Sequence, residues 1–208
     1  MTTTFPSGAS LVGTIDPDAR GVAVLMHGAS FGFAGMPSWM APAPYRMQLF
    51  ESPIIDRTGG RVSVLRLRYP DRDLQSVFRG ALRDTAAALE HIRRTAPQAR
   101  IGLIGHSNGG RVALRLSSDA RVDAVAALAP WLSPADRINP RPGVPVLLMH
   151  GGLDVVTSPQ LTTQLAARLA RKGVDVDHET VAGENHYLLA SSAHWHDRVA
   201  SFAAAHLL

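Results

Sequence analysis

The sequence predicts a three-layer α/β fold: a mostly parallel twisted sheet with helices on both faces. Three observations carry that prediction. Short, near-continuous apolar runs rich in Val, Leu and Ile recur along the chain, as strands covered on both faces require. Segments with apolar residues at helical spacing lie between them. The two types alternate, and alternation implies parallel strands joined by helical crossovers.

The elements follow in order. Residues 9–15, "ASLVGTI", are a weak strand candidate, and 21–26, "GVAVLM", the first strong one. Residues 29–44, "ASFGFAGMPSWMAPAP", lack periodicity and concentrate Gly, Pro, Met and aromatic residues. Such a loop, after a strand's carboxyl end, overlooks the ligand crevice of an open α/β sheet. A strand at 62–67 precedes a helix over 74–95, which aligns Leu74, Val77, Phe78, Ala81, Leu82, Thr85, Leu89 and Ile92 on one side and is ended by Pro97. Strand 101–104 leads into helix 109–117; strands 122–128 and 144–149 follow. Helix 159–171 runs from Ser158-Pro159, a cap and first-turn proline, to Gly173 as its stop. The alternating 174–181, "VDVDHETV", is a more exposed strand, and 194–207 form a final helix. No internal repeat, low-complexity tract or linker divides the chain, so one domain over residues 1–208 is expected.

Composition narrows the function classes. With 46% apolar and 18% charged residues, the 208-residue chain is globular rather than disordered. Its net charge is +4, nearly all from arginine, with Lys172 the sole lysine. The arginines (Arg20, Arg57, Arg83, Arg94, Arg121 and Arg168 among them) are scattered rather than blocked, which argues against a nucleic-acid surface. The absence of cysteine excludes disulfides, thiolate metal sites and cysteine catalysis. No basic n-region precedes an apolar h-region at the start, and no apolar run reaches membrane-spanning length. The expectation is a cytoplasmic protein with no membrane contact, no metal and no cofactor. Nothing in the pattern speaks to oligomeric state.

The stretch "IGLIGHSNGGRVALRL", residues 101–116, places a serine among glycines between a strand and a helix. Gly105 and Gly110 have the separation of a P-loop, but Arg111 and Val112 stand where the phosphate-binding lysine and the magnesium-binding hydroxyl belong. Gly105-His106-Ser107-Asn108-Gly109 instead reads G-x-S-x-G, a sharp strand-to-helix turn presenting Ser107 as a nucleophile. Side chains at the glycine positions would collide with neighbouring backbone. The helix N-terminus also favours developing negative charge.

A serine needs a positioned base. In sites built on such an elbow the acid and then the histidine come later in the chain. Asp154 stands in the loop after strand 144–149, and His186 in the loop after strand 174–181. Both loops leave carboxyl strand ends, so Ser107, Asp154 and His186 can converge on one rim. Asp136 is the fallback acid. His178, inside a strand, and His194 and His196, in or near the last helix, are the competing histidines. "HWH" at 194–196 lacks a carboxylate cluster to make a metal site. The oxyanion hole needs two N–H donors. Asn108 supplies one; the other comes from "HGAS" at 27–30, at Ala29 with Ser30 the alternative. His27 braces that loop.

These motifs, "HGAS" 27–30, "GHSNGG" 105–110, "HGGLD" 150–154 and "GENH" 183–186, resemble in kind and order those of the α/β-hydrolases. The chain is most similar to small dienelactone-hydrolase-like and carboxylesterase-like members. The resemblance implies an α/β-hydrolase fold with a Ser-His-Asp triad. Two departures stand out. Fewer strands precede "GVAVLM" than the full eight-stranded pattern, so the N-terminal strands are expected to be shortened or absent. The segment 129–143, where capped members insert helices, is short, so no substantial cap is expected. Ser107 also separates this chain from the cysteine nucleophile of dienelactone hydrolases proper.

The implied chemistry is acyl transfer to water from a small-molecule ester or thioester through an acyl-enzyme. A biosynthetic thioesterase or acyltransferase would present the same site, and the fold also serves non-catalytic ligand binding. Ser30, Met36, Trp39, Trp131 and Tyr187 are candidate substrate contacts, with Met40 and Tyr45 beside them. The same residues would serve equally in packing the 29–44 loop.

Overall fold

Apolar runs covered on both faces become the centre of the sheet. The computed structural model describes residues 1–29, 42–70 and 76–208. Its strands are β1 Thr2–Thr4, β2 Ser10–Val12, β3 Gly21–Met26, β4 Val62–Arg68, β5 Arg100–His106, β6 Ala124–Leu128, β7 Val146–Gly151 and β8 Val176–Val181. They form an eight-stranded sheet in the order β1-β2-β4-β3-β5-β6-β7-β8. β3 to β8 pair in parallel, while β1 pairs with β2 and β2 with β4 antiparallel.

The helices are α1 Pro42–Gln48, α2 Glu51–Thr58, α3 Val77–Thr95, α4 Asn108–Arg115, α5 Pro159–Arg171 and α6 Ser192–Leu207. Successive strand side chains point to opposite faces, and β3 splits accordingly. Val22, Val24 and Met26 pack with Ala81, Leu89, Val112 and Leu165 of α3, α4 and α5. Ala23 and Leu25 pack with Met47, Phe50, Ile54, Trp195 and Val199, from the side of α1, α2 and α6. The three layers of the sequence prediction are therefore present. Among the described residues, no helix is long and apolar enough to cross a membrane.

Three differences from the sequence reading have physical causes. The first strands are shortened, as expected, but present: β1 and β2 have three residues each and complete the eight strands. β1 is "TTT", an exposed edge with β-branched residues but no apolar face to signal it. Residues 42–44 belong to α1 rather than to a loop; Pro42 and Pro44 sit in its first turn, where a missing N–H costs nothing. α2 is eight residues long with Pro53 inside its first turn, too short for a periodic signal. The segment 129–143 carries no helix, in keeping with the expected lack of a cap.

Candidate active site

β5 delivers Ser107 to the carboxyl edge of the sheet, and α4 begins one residue later. Ser107 has φ 55° and ψ −117°, a backbone state rarely adopted outside glycine. The flanking glycines permit the turn. A Cβ on Gly105 would lie 2.3 Å from the carbonyl of Gly109, and one on Gly109 would lie 2.4 Å from the carbonyl of Met26. Both neighbours are backbone and cannot yield. Ser107 N–H donates to Leu128 O at 2.9 Å, and Trp131 N–H donates to Ser107 O at 3.0 Å. The strained residue is thus pinned from both sides.

Asp154 and His186 meet. His186 Nδ1–H donates to Asp154 Oδ2 at 2.7 Å, and the Asp154 side chain is wholly buried. The other carboxylate oxygen, Oδ1, accepts the N–H groups of Val156 at 2.8 Å and Thr157 at 2.9 Å. Thr157 Oγ1–H donates to Oδ2 at 2.8 Å and lies 3.2 Å from His186 Nδ1. Burial alone would raise the Asp154 carboxyl. Hydrogen bonds from His150, His186 and Thr157 outweigh it and hold the group well below the usual carboxylate range. Asp154 is therefore a fixed anion that orients one imidazole nitrogen and leaves His186 Nε2 for other work.

His106 ties this pair to the serine turn. Its Nε2–H donates to His186 O at 2.9 Å, and the two rings are 4.8 Å apart. The His106 ring is buried, and its Nδ1 has no hydrogen-bond partner. Burial first, then the fields of His186 and Arg46, push its pKa down to about 3. Ser107 and His186 are thus neighbours through His106, although the hydrogen bonds made by His186 Nδ1 go to Asp154 and Thr157 rather than to the serine hydroxyl.

The loop after β3 passes against the serine. A Cβ on Gly28 would lie 3.0 Å from Ser107 Cβ and 3.4 Å from its Oγ. His27 accepts Tyr69 N–H at Nε2 (3.1 Å), so its Nδ1 carries the proton and donates to Gly28 O at 2.6 Å. It braces the loop. Among the described residues, no backbone carbonyl takes the N–H of Ala29 or of Asn108.

Other candidates fall elsewhere. Asp136 accepts Arg111 Nη2 at 2.9 Å and Ser133 N–H at 2.7 Å, and among the described residues no histidine bonds to it. His194 pairs with Glu179, and His196 packs edge-on against Phe50. Tyr187 is half exposed with its ring 5.9 Å from that of His186, and Trp131 is fixed beside Ser107 by the backbone bond above. Ser30, Met36, Trp39 and Met40 lie outside the described residues.

Two supporting residues escaped the sequence reading. His150 is fully buried; its Nε2–H donates to Asp154 Oδ2 at 3.0 Å, and its Nδ1 lies 2.7 Å from Thr162 Oγ1. Glu184, also fully buried, accepts the N–H groups of Asn185 (2.9 Å) and Ser191 (2.8 Å) and the indole N–H of Trp195 (3.3 Å). It holds the histidine loop onto α6. Both lay in the quoted motifs "HGGLD" and "GENH", so a signal was present without an assigned role.

Residues 124–208, which contain Asp154 and His186 but not Ser107, match the model of the prolyl oligopeptidase family. No curated protein matches the sequence significantly. Three solved structures share the architecture. An α/β serine hydrolase without lid from Xanthomonas campestris is 16% identical, with 98% of this chain and 92% of that one covered and a TM-score of 0.74. An esterase from Pyrococcus furiosus is 17% identical, covering 100% and 92%, with a TM-score of 0.74. An esterase from Pyrobaculum calidifontis is 12% identical, covering 99% and 83%, with a TM-score of 0.71. The chain has the α/β-hydrolase fold. Among the described residues, the segment between β6 and β7 carries no inserted helix.

Proposed function

We propose that this protein is a serine hydrolase that cleaves a carboxylic ester or thioester through a Ser107–His186–Asp154 triad. The observation that carries the proposal is the 2.7 Å bond from His186 to the buried Asp154, latched by His106 beside the strained Ser107. His186 Nε2 takes the Ser107 proton as Oγ attacks the substrate carbonyl carbon. The N–H groups of Ala29 and Asn108 hold the oxyanion. Asp154 keeps the imidazole tautomer fixed and stabilises its charged form. The tetrahedral species collapses, and His186 returns the proton to the departing alcohol or thiol. Water, deprotonated by His186, then attacks the acyl-enzyme, and Ser107 leaves with the proton restored.

The esterase structures that share the fold favour an ester over other acyl substrates. The match to the prolyl oligopeptidase family makes a short peptide bond the second substrate class, and a paired ester and peptide p-nitroanilide panel separates the two. The direct test is Ser107→Ala on p-nitrophenyl acetate or butyrate. The proposal predicts loss of turnover by about 10³-fold or more; undiminished turnover overturns it.

A further inference from the structure

Among the described residues, one cation beside the site has no counter-charge. Arg46, on α1, is 8% exposed. Among the described residues it has no ion pair, and its Nε is sealed from solvent without a hydrogen-bond partner. Of the two stretches outside the described residues, 30–41 has no acidic residue and 71–75 has Asp71 and Asp73. Burial pushes the guanidinium below the ordinary arginine range, and the neighbour that offsets this is Tyr187, whose ring lies 5.2 Å beneath it. Tyr187 directly follows His186, their rings are 5.9 Å apart, and half of the Tyr187 surface is open. The field of Arg46 also reaches His106, the residue before Ser107.

Several other arginines of low exposure are paired among the described residues. Arg111 has Asp136, Arg121 has Asp119 and Glu90, Arg198 has Asp177 and Glu179, and Arg66 has Glu51. A buried charge is normally paired or costly. A guanidinium held over the ring of the residue after His186, with no ion pair among the described residues, keeps its hydrogen-bonding fork for something else.

We propose that Arg46, backed by Tyr187, is a subsite for a carboxylate on the substrate, so that the preferred ester bears a negative charge. One guanidinium offers one charge and two parallel N–H groups, the complement of a carboxylate. The inference rests on the hydrolase reading above, because it places the carboxylate within reach of Ser107 and His186.

The test compares matched esters in the full chain. Mono-4-nitrophenyl glutarate against 4-nitrophenyl valerate puts the carboxylate on the acyl side; 4-acetoxybenzoate against 4-acetoxybenzamide puts it on the alcohol side. In at least one pair the charged ester is expected to have the higher kcat/KM by about tenfold or more, the usual worth of a charge-assisted bond. Arg46→Gln is expected to erase that preference and Arg46→Lys to restore part of it. Arg94→Gln, an exposed arginine on α3, controls for net charge. A charged-to-neutral ratio that is near one in the wild type, or unchanged in Arg46→Gln, overturns the subsite. If no ester is turned over, the hydrolase reading fails separately. Calorimetry with glutarate then decides the subsite alone: binding to wild type and Ser107→Ala that is lost in Arg46→Gln supports it, and no binding to any of them overturns it.

Discussion

His106 makes folding sensitive to acid in a way that one substitution can isolate. Its ring is buried between the serine turn and the histidine loop, facing His186, Arg46 and, further off, Asp154. Its pKa falls from the ordinary 6.5 to about 3. Between those values the unfolded chain binds a proton at this position and the folded chain does not. Stability therefore rises with pH across the window, is complete above about pH 6.5, and drains away as the pH falls toward 3. Each pH unit inside the window is worth about 1.4 kcal/mol, so moving from pH 6.5 to 5 removes about 2 kcal/mol through this group. His106→Gln keeps a side-chain N–H able to reach His186 O but does not titrate. Urea unfolding of both proteins at pH 7 and pH 5 reads the effect as a difference of differences. The wild type is expected to lose about 2 kcal/mol more than the variant. Equal losses would refute the buried, neutral His106 and with it the latch between the serine turn and the histidine loop.

Further outcomes follow from the same geometry. Asp154→Asn preserves the acceptor for the Val156 and Thr157 N–H groups but removes the charge that fixes His186; kcat on a p-nitrophenyl ester is expected to fall by about 10⁴-fold with KM little moved. His150→Leu strips a donor from Asp154 and leaves the Thr162 hydroxyl unpaired, both fully buried; equilibrium unfolding is expected to lose about 1–3 kcal/mol. Gly109→Ala drives a Cβ to 2.4 Å from Met26 O and 2.7 Å from His27 O. Thermal melts should then report a loss of about 1–3 kcal/mol, and esterase assays a loss of activity, because α4 must move off β3.

The legible parts of the molecule are those where one physical rule acts alone. β3 is covered on both faces, and its six apolar residues read directly as a buried strand. α5 announces both ends, with Ser158 Oγ accepting Leu161 N–H at 3.2 Å and Gly173 in the left-handed region after its last turn. The serine turn was legible because steric exclusion leaves only glycine at 105 and 109. Asp154 and His186 were legible as loop residues after strands that converge on one rim, and the 2.7 Å bond between them gives that convergence its geometry. β1 escaped because an exposed run of threonines buries nothing. α1 and α2 escaped because prolines at their starts and lengths of seven and eight residues blur any period. His150 and Arg46 escaped for a different reason. A lone histidine or arginine in a sequence is usually solvated or satisfied, and only burial beside a particular carboxylate, or beside none, gives it a role.

The central claim is that Ser107 is an activated nucleophile, and covalent labelling tests it most directly. Treatment of the intact protein with a fluorophosphonate, followed by peptide mapping, is expected to find one adduct, on Ser107, that is absent from Ser107→Ala and formed far more slowly in His186→Ala. No adduct on the wild type, or equal labelling of Ser107→Ala, would contradict the account.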